Sequence, residues 1–417
     1  MDSIPSRTLS TAEARLDKLA EVAIRVGLNL QPGQELVLTA PLDAFPLVRR
    51  IAHHAYKAGG TLVTPLFSDE QSTLARFEHA PDGAFDYAPA WLFDGMAAAF
   101  RNGAARLAIA GEDPSLLSSQ DPARVARANR ARSVAYRPAL ELITSFAINW
   151  NIISYATPAW AHTMFPDLPE AEAVAKLWDA IFAASRVDEP DPVAAWAEHN
   201  AALHARTALL NAQRFAALHF SGPGTDLRIG LSDGHLWMGG SEPAKNGVVC
   251  NPNIPTEEVF TTPHAHHVEG RVRSTKPLSY QGTLIQDIEV RFEQGRIVHS
   301  QARTGAEVLE RVLNTDEGAR RLGEVALVPH SSPISGSGLL FFNTLFDENA
   351  ASHIALGQAY RTCLEGGTTA SEAELTRRGA NSSLIHIDWM IGSGEVSVDG
   401  ITASGDAVPV MRDGEWV

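Results

Sequence analysis

The segment SLIHIDWMIG, residues 383–392, constrains the fold more than any other part of the chain. Apolar and polar residues alternate along it, and successive side chains of a β-strand point to opposite faces. In a strand, His386 and Asp388 therefore share one face. The opposite face carries Ile385, Ile387, Trp389 and Ile391. The pattern predicts a rigid strand on which two side chains of metal-ligand type can bind one ion together.

Length and charge exclude several classes of protein. A chain of 417 residues is too long for one ordinary core, which predicts two or three domains. The formal net charge of −15 argues against binding to nucleic acid or to an anionic membrane. Two cysteines, no apolar run of about 18 residues and no N-terminal apolar targeting core lead us to expect a cytoplasmic protein.

The first half alternates helical and strand patterns. Apolar residues recur at helical spacing over 11–27, and the strand-like ELVLTA and TLVTPLF flank the helix-like LVRRIAHHAYKAG. This order is a βαβ unit, which requires a parallel sheet. A further buried strand is predicted around Leu107 to Asp113, and residues 168–212 are mostly helical. We therefore predict an α/β N-terminal domain with a parallel sheet over residues 1–213.

The second half has a different sequence pattern. From Arg214 onward, short β-rich runs alternate with Gly, Pro and Asp turns, a pattern typical of an antiparallel sheet. Helical patches are expected at 304–322 and 349–363. We predict an α+β metal-binding domain with a mainly antiparallel sheet over residues 214–417, and every candidate ligand lies in it.

Three glutamates precede the segments that contain His353 and His386. NIPTEEVF contains Glu257 and Glu258, whose neighbouring side chains diverge, so one could hold metal while the other acts as a base. An exposed acidic turn is the alternative. Glu324 enters the apolar run GEVALVP, where a buried carboxylate is costly unless it is paired or metal-bound. A surface position just before the strand is equally consistent with the local sequence.

The segment LFDENAASHIALGQAY, residues 345–360, predicts a turn leading into a helix. Glu348 lies in the turn. His353 and Tyr360 are seven residues apart, which places them on one helical face two turns from each other. A lone histidine in a helix is usually a core or surface residue. This segment therefore supports a metal site only in combination with the other candidate ligands.

Taken together, these side chains suit hydrolytic metal chemistry. Carboxylates and imidazoles without cysteine are the ligands of a hydrolytic divalent-metal site. Three carboxylates, two imidazoles and a nearby phenol are enough for two ions about 3.5–4 Å apart, with one carboxylate bridging them.

Four segments closely resemble the thermophilic-type metallo-aminopeptidases of peptidase family M29, the aminopeptidase T and aminopeptidase S type. They are NIPTEEVFTTPH, GEVALVP, SPISGSGLLFFNTLFDENAASHIALGQAY and NSSLIHIDWMIGS. The similarity extends more loosely over almost the whole chain. It implies an aminopeptidase that removes N-terminal amino acids from small peptides, and it further suggests a homodimer.

The resemblance also implies roles for individual residues. It implies that the metal ligands are Glu258, Glu324, Glu348, His353, His386 and Asp388. Glu324 matches the bridging carboxylate, Tyr360 assists catalysis, and Glu257 is a candidate for the general base. The implied cofactor is two divalent ions per chain, with Zn, Co, Mn or Mg all compatible with oxygen and nitrogen ligands.

Two alternatives remain at this point. Ring-cleaving dihydroxypyridine dioxygenases resemble this fold and hold one iron by two histidines and a carboxylate, which His353, His386 and Asp388 could supply. A one-iron enzyme, however, has no need for three further glutamates. A non-catalytic peptide-binding protein is the other alternative, and the intact set of ligands argues against it.

Overall fold

The computed structural model describes residues 11–280 and 283–417. These residues form two compact units. The first unit comprises the described residues up to Glu198 together with Ser241–Ile254, and the second comprises His199–Gly240 and Pro255–Val417. Within the described residues, no helix is both long enough and apolar enough to cross a membrane.

The α-helices of the described residues vary from one turn to six. They are α1 (Thr11–Val22), α2 (Phe45–Lys57), α3 (Glu70–His79), α4 (Ala90–Arg101), α5 (Pro122–Thr144), α6 (Pro158–Met164), α7 (Glu170–Ala184), α8 (Pro192–Gln213), α9 (Ala306–Leu313), α10 (Pro333–Ser337), α11 (Thr344–Asp347) and α12 (Glu372–Arg377).

The strands are concentrated in the second half of the chain. They are β1 (Glu35–Pro41), β2 (Leu62–Ser68), β3 (Ala105–Ala110), β4 (Trp150–Ser154), β5 (Ala217–Gly222), β6 (Thr225–Leu231), β7 (Glu242–Pro243), β8 (Val249–Cys250), β9 (Val259–Thr261), β10 (Pro263–Arg273), β11 (Leu278–Tyr280), β12 (Thr283–Ile285), β13 (Glu289–Glu293), β14 (Arg296–Gln301), β15 (Leu322–Leu327), β16 (His353–Gly357), β17 (His386–Met390), β18 (Ser397–Ile401), β19 (Ala407–Arg412) and β20 (Glu415–Trp416).

The first unit is built on a parallel sheet, as predicted. Its four strands have the order β2-β1-β3-β4, and each neighbouring pair is parallel. Helix α2 connects β1 to β2 as the crossover that parallel pairing requires. Its buried residues recur every three or four positions, which is the apolar stripe of a helix packed on a sheet. They are Leu47, Val48, Ile51 and Ala55.

The division into units is not a single cut in the chain. The segment 241–254 belongs to the first unit, where Ile152 donates its N–H to Pro252 O at 2.7 Å and accepts one from Ile254. Helix α8 begins in one unit and ends in the other, so the predicted boundary at residue 213 coincides with the end of this helix.

The second unit contains two larger sheets. An eight-stranded sheet has the order β14-β13-β10-β6-β5-β18-β19-β20, and a four-stranded sheet has the order β17-β16-β15-β9. The neighbouring strands pair antiparallel. Phe220, Leu227 and Ile229 from the first sheet and Val325 and Ile354 from the second lie in one apolar core. The predicted fold class, a parallel α/β domain followed by a mainly antiparallel α+β domain, is confirmed.

The predicted helix at 349–363 is wrong. Residues from His353 to Gly357 form strand β16, the chain turns after it, and Tyr360 lies beyond the strand. All five residues of β16 are buried, because the strand lies in the interior of the four-stranded sheet between β15 and β17. A strand buried on both faces does not alternate, so periodicity cannot distinguish it from a short buried helix. The helical patch at 304–322 is also shorter than predicted, since α9 ends at Leu313.

Candidate metal centre

Three adjacent strands of the four-stranded sheet present their polar side chains on one face. Ala355 of β16 is directly opposite Glu324 of β15 on one side and Asp388 of β17 on the other. Gly357 of β16 is directly opposite His386. Residues two apart on a strand share a face, so His386 joins Asp388. The small residues of the middle strand leave room above it for the larger side chains of its neighbours.

His353 and Glu258 complete this face. His353 begins β16 and precedes Ala355 by two residues, so it points to the same side. Glu258 immediately precedes β9, the strand that pairs with β15. Five residues that span more than 100 positions of the sequence are therefore brought to one site, which also includes Glu348 from the short turn after α11.

Two groups of potential ligand atoms share one carboxylate. Glu258, Glu324 and His353 form one group, and Glu324, His386 and Asp388 form the other; within each group the donor atoms lie within 4.8 Å of one another. The Oε1 atom of Glu324 lies 3.7 Å from His353 Nε2, and its Oε2 atom lies 3.3 Å from His386 Nε2. The two oxygens of Glu324 thus face different histidines.

Backbone carbonyls fix the orientation of both imidazoles. His353 Nδ1 is 3.1 Å from Ala351 O, and His386 Nδ1 is 2.7 Å from Gln358 O. Because a carbonyl oxygen only accepts, each Nδ1 must carry the hydrogen, and each Nε2 is directed at the carboxylates. A histidine whose Nδ1–H is engaged in this way is oriented to bind a metal ion through Nε2.

Two carboxylate oxygens of the site have no hydrogen-bond partner among the residues that the structure describes: Glu258 Oε2 and Asp388 Oδ1. His353 Nε2 is 3.1 Å from Glu258 Oε2, and His386 Nε2 is 3.5 Å from Asp388 Oδ1, but neither contact satisfies hydrogen-bond geometry. Buried anionic oxygens without donors are costly. Metal cations bound in the two groups would satisfy them, so the residues present fit the ligand set of a divalent-metal site.

The charges of the site perturb one another strongly. Burial raises the pKa of Glu348 well above its usual value, and the neighbouring Glu258 and Asp388 raise it further. Burial also raises the pKa of Glu258, although His353 opposes the shift. Burial acts in the same direction on Glu324, but the neighbouring imidazoles of His353 and His386 outweigh it and lower the pKa of Glu324 to about 2.

The imidazoles respond in the opposite direction. Burial lowers the pKa of His386, but the charges of Asp388 and Glu324 outweigh burial and raise this pKa to about 11. The pKa of His353 is raised well above its usual value for the same reason, with Glu258 as its main partner. Without metal, protons on the histidines partly compensate the carboxylates, and a divalent cation would take their place.

Tyr360 lies beside the site and remains accessible. Its ring is 4.7 Å from the ring of His386 and 6.1 Å from that of Phe260, measured between centroids. The residue is 44% exposed overall, although its hydroxyl is surrounded by protein. Loss of hydration around its hydroxyl, together with the charges of Glu324 and Asp388, raises the pKa of Tyr360 well above its usual value. The phenol therefore stays protonated and can donate a hydrogen bond.

Glu257 has different neighbours from Glu258. Its backbone N–H donates to Asn349 Oδ1 at 2.7 Å, and its Oε2 atom lies 3.7 Å from His199 Nε2. His199 in turn donates from Nε2 to Thr256 O at 2.8 Å. Sequence reasoning missed the contacts of His199 and Asn349 with Glu257, since these contacts join residues far apart in the chain.

Comparisons with known proteins agree with this architecture. Residues 12–416 match the family Thermophilic metalloprotease (M29). The chain is 56% identical over 402 residues to Aminopeptidase T of Thermus thermophilus, with 96% of this chain and 98% of that protein aligned. It is 48% identical over 404 residues to Aminopeptidase 2 of Geobacillus stearothermophilus, with 97% and 98% aligned.

A solved structure shows the same fold. The structure of wild-type AmpT from Thermus thermophilus superimposes with a TM-score of 0.92, covering 97% of this chain and 99% of that one at 56% identity. The family match and the aminopeptidase relatives identify the chain as a metallopeptidase. The chain belongs to the M29 family of thermophilic metalloproteases, and the resemblance found in its sequence is confirmed.

Proposed function

We propose that this chain, a metal-dependent aminopeptidase, hydrolyses the N-terminal residue from small peptides with two divalent ions that share Glu324. The metallo-aminopeptidase activity follows from membership in the M29 family and from 56% identity to Aminopeptidase T. No comparison supports the iron dioxygenase alternative. The geometry of the site supports the number of ions and the role given to each residue.

One observation supports the two-ion arrangement in particular. The Glu324 oxygens lie 3.7 Å from His353 Nε2 and 3.3 Å from His386 Nε2, so a single carboxylate belongs to both ligand groups. A carboxylate of this kind bridges two ions in enzymes that use paired metals. Glu258 and His353 would complete one coordination sphere, and His386 and Asp388 the other. Glu348, among these carboxylates, is the remaining proposed ligand.

When bound, the metal supplies Lewis acidity that makes a water molecule more acidic and polarises the peptide carbonyl. The protein's own residues then handle protons and charge. Glu257, the buried carboxylate beside His199, is the candidate that accepts the proton of the attacking water. Tyr360 donates a hydrogen bond to the oxygen that becomes negative as the carbonyl is attacked. The excess of carboxylates favours a substrate that carries a free α-ammonium group.

The ligand set admits Zn, Co, Mn or Mg, because oxygen and nitrogen donors bind all four and availability decides among them. The test is reconstitution. Protein stripped with a chelator is titrated with each metal, and bound ions per chain are measured together with cleavage of a dipeptide and its N-acetylated form. We expect two ions per chain and cleavage of the free amine only. Full activity with one ion, or equal cleavage of both substrates, would contradict the proposal.

A homodimer in the cytoplasm is also part of the proposal. The charge balance and the two reduced cysteines support the location. Analytical ultracentrifugation of the metal-loaded protein would test the dimer, and a monomer at micromolar concentration would contradict it.

A further inference from the structure

A lysine lies in a loop that is hydrogen-bonded to one of the strands of the candidate metal centre. Lys276 follows β10 in a short loop whose preceding residues are anchored. Ser274 donates its N–H to Ile288 O at 2.8 Å. Thr275 donates its N–H to Met390 O at 2.9 Å and its hydroxyl to Gly392 O at 2.7 Å. Met390 is directly opposite His353 across the sheet, so the loop is tied to the strand that carries His386 and Asp388.

The ammonium group of Lys276 has unused hydrogen-bond donors. No hydrogen bond or salt bridge engages it among the residues that the structure describes. Partial burial lowers its pKa, and the charge of Asp347 opposes that shift. Asp347 immediately precedes Glu348, the proposed ligand from the turn after α11. Both oxygens of Asp347 already accept backbone N–H groups, from Phe341 at 2.7 Å and from Asn343 at 3.0 Å.

Composition makes this position unusual. Lys276 is the only lysine after residue 245, although arginine occurs repeatedly in that part of the chain. A partly buried ammonium with unused donors is unfavourable unless an anion reaches it. Because Asp347 already accepts two backbone N–H groups, an anion brought by a substrate is a partner that this ammonium can still take.

A small peptide carries such an anion at its C-terminus. An extended dipeptide spans about 7 Å, from its ammonium at one end to its carboxylate at the other. The negative site accounts for the ammonium end. A cation in the loop that is tied to β17 can bind the carboxylate end of a short peptide, and a longer peptide would place this end elsewhere.

We infer that Lys276 binds the C-terminal carboxylate of a dipeptide substrate and so makes the enzyme favour dipeptides over amidated or longer peptides. This inference rests on the proposed aminopeptidase function and specifies the part of the substrate on the leaving-group side. Lys276 is a specificity residue here, since it contacts the carboxylate and not the bond that is cleaved.

The test compares Leu-Leu with Leu-Leu-amide as substrates of metal-loaded wild type and Lys276→Met. A charge-assisted hydrogen bond of this kind changes binding roughly 10- to 100-fold. We expect kcat/KM for the free acid to fall by that factor in the variant while kcat/KM for the amide stays unchanged. Lys276→Arg should recover part of the preference. Lys57→Met, the same change at an exposed helical lysine, should alter neither substrate.

A second measurement excludes a structural effect. Binding of a Leu-Leu analogue with a reduced peptide bond is measured as free acid and as amide, with Tm and bound metal recorded for each variant, including the neutral Lys276→Gln. Loss of affinity for the acid alone supports the inference. An equal loss for both forms, or no loss for either, overturns it. A metal-loaded wild type that cleaves neither Leu-Leu nor its amide would instead contradict the proposed function itself.

Discussion

The ring of Tyr360 packs 4.7 Å from the ring of His386, at an interplanar angle of 49°. Strand pairing produces this contact. Strand β16 ends at Gly357, directly opposite His386, so the chain that leaves the strand passes beside that histidine. The sequence suggested a relation between Tyr360 and His353 along a helix, whereas the structure places Tyr360 next to the other imidazole of the site.

Replacing Tyr360 with Phe should reduce turnover far more than metal content. The hydroxyl is the only group removed, and the loss of one donor to a developing oxyanion commonly costs roughly 10²–10³ in turnover. Turnover of a free-amine dipeptide and bound metal per chain are measured on the same sample. Tyr87→Phe, at a residue that is 76% exposed, is the matched control and should change neither quantity. Near-normal turnover with depleted metal would assign Tyr360 a structural role.

Local sequence pattern predicted one ligand strand and missed another. Strand β17 was predictable because its inward residues Ile387 and Trp389 alternate with His386 and Asp388. Strand β16 was not, since burial on both faces removes the alternation. The strand–helix error at His353 follows directly from that difference.

Residue types and family resemblance predicted the ligands of the metal site. They did not predict the residues that surround these ligands. Asn349 and His199 contact Glu257 through pairings that are remote in sequence. Lys276 belongs to no ligand pattern in the sequence. The hydrogen bond from Thr275 to Met390 connects its loop to the metal-binding sheet. Contacts of this kind depend on tertiary packing, about which a single sequence carries little local signal.

Glu324→Gln should weaken the binding of both ions at once and abolish peptidase activity. An amide lacks the charge and presents only one oxygen, whereas the Glu324 oxygens face His353 and His386 separately. Bound metal and dipeptide cleavage are measured after dialysis against a limiting metal concentration. The control is Glu307→Gln, at an exposed position in the first turn of α9. A variant that retains two tightly bound ions and normal turnover would refute the bridging role.

Metal binding to the stripped protein should release protons near neutral pH. The pKa of His386 is raised to about 11 by Asp388 and Glu324 against the effect of burial, and that of His353 is also raised, so both imidazoles are protonated without metal. A metal ion binds only the neutral imidazole and must displace these protons, so its apparent affinity should rise as pH rises. Calorimetric titration in two buffers of different ionisation enthalpy measures the release. Affinity that is independent of pH between 6 and 8 would contradict this assignment.

Gly357→Ala should disturb the half of the site that contains His386. Gly357 has φ +104°, and an added Cβ would lie 2.1 Å from Ile385 O, on the residue just before His386. Strand β17 must shift to relieve this overlap, and a strained backbone of this kind costs about 1–3 kcal/mol. We expect a lower free energy of unfolding and weaker binding of the ion assigned to Glu324, His386 and Asp388, with the group containing His353 less affected.

Gly405→Ala is the matched control for this substitution. Gly405 also has positive φ, +91°, but no atom lies within 4 Å of the position that its Cβ would occupy. It lies between β18 and β19, away from the strands that carry the ligands. Both variants therefore incur the backbone strain, and only Gly357→Ala adds the overlap with Ile385 O. Chemical denaturation and metal counts on the two proteins separate these effects. If Gly357→Ala loses no more stability than the control and binds the same amount of metal, then the close pairing of Gly357 with His386 does not position the metal site.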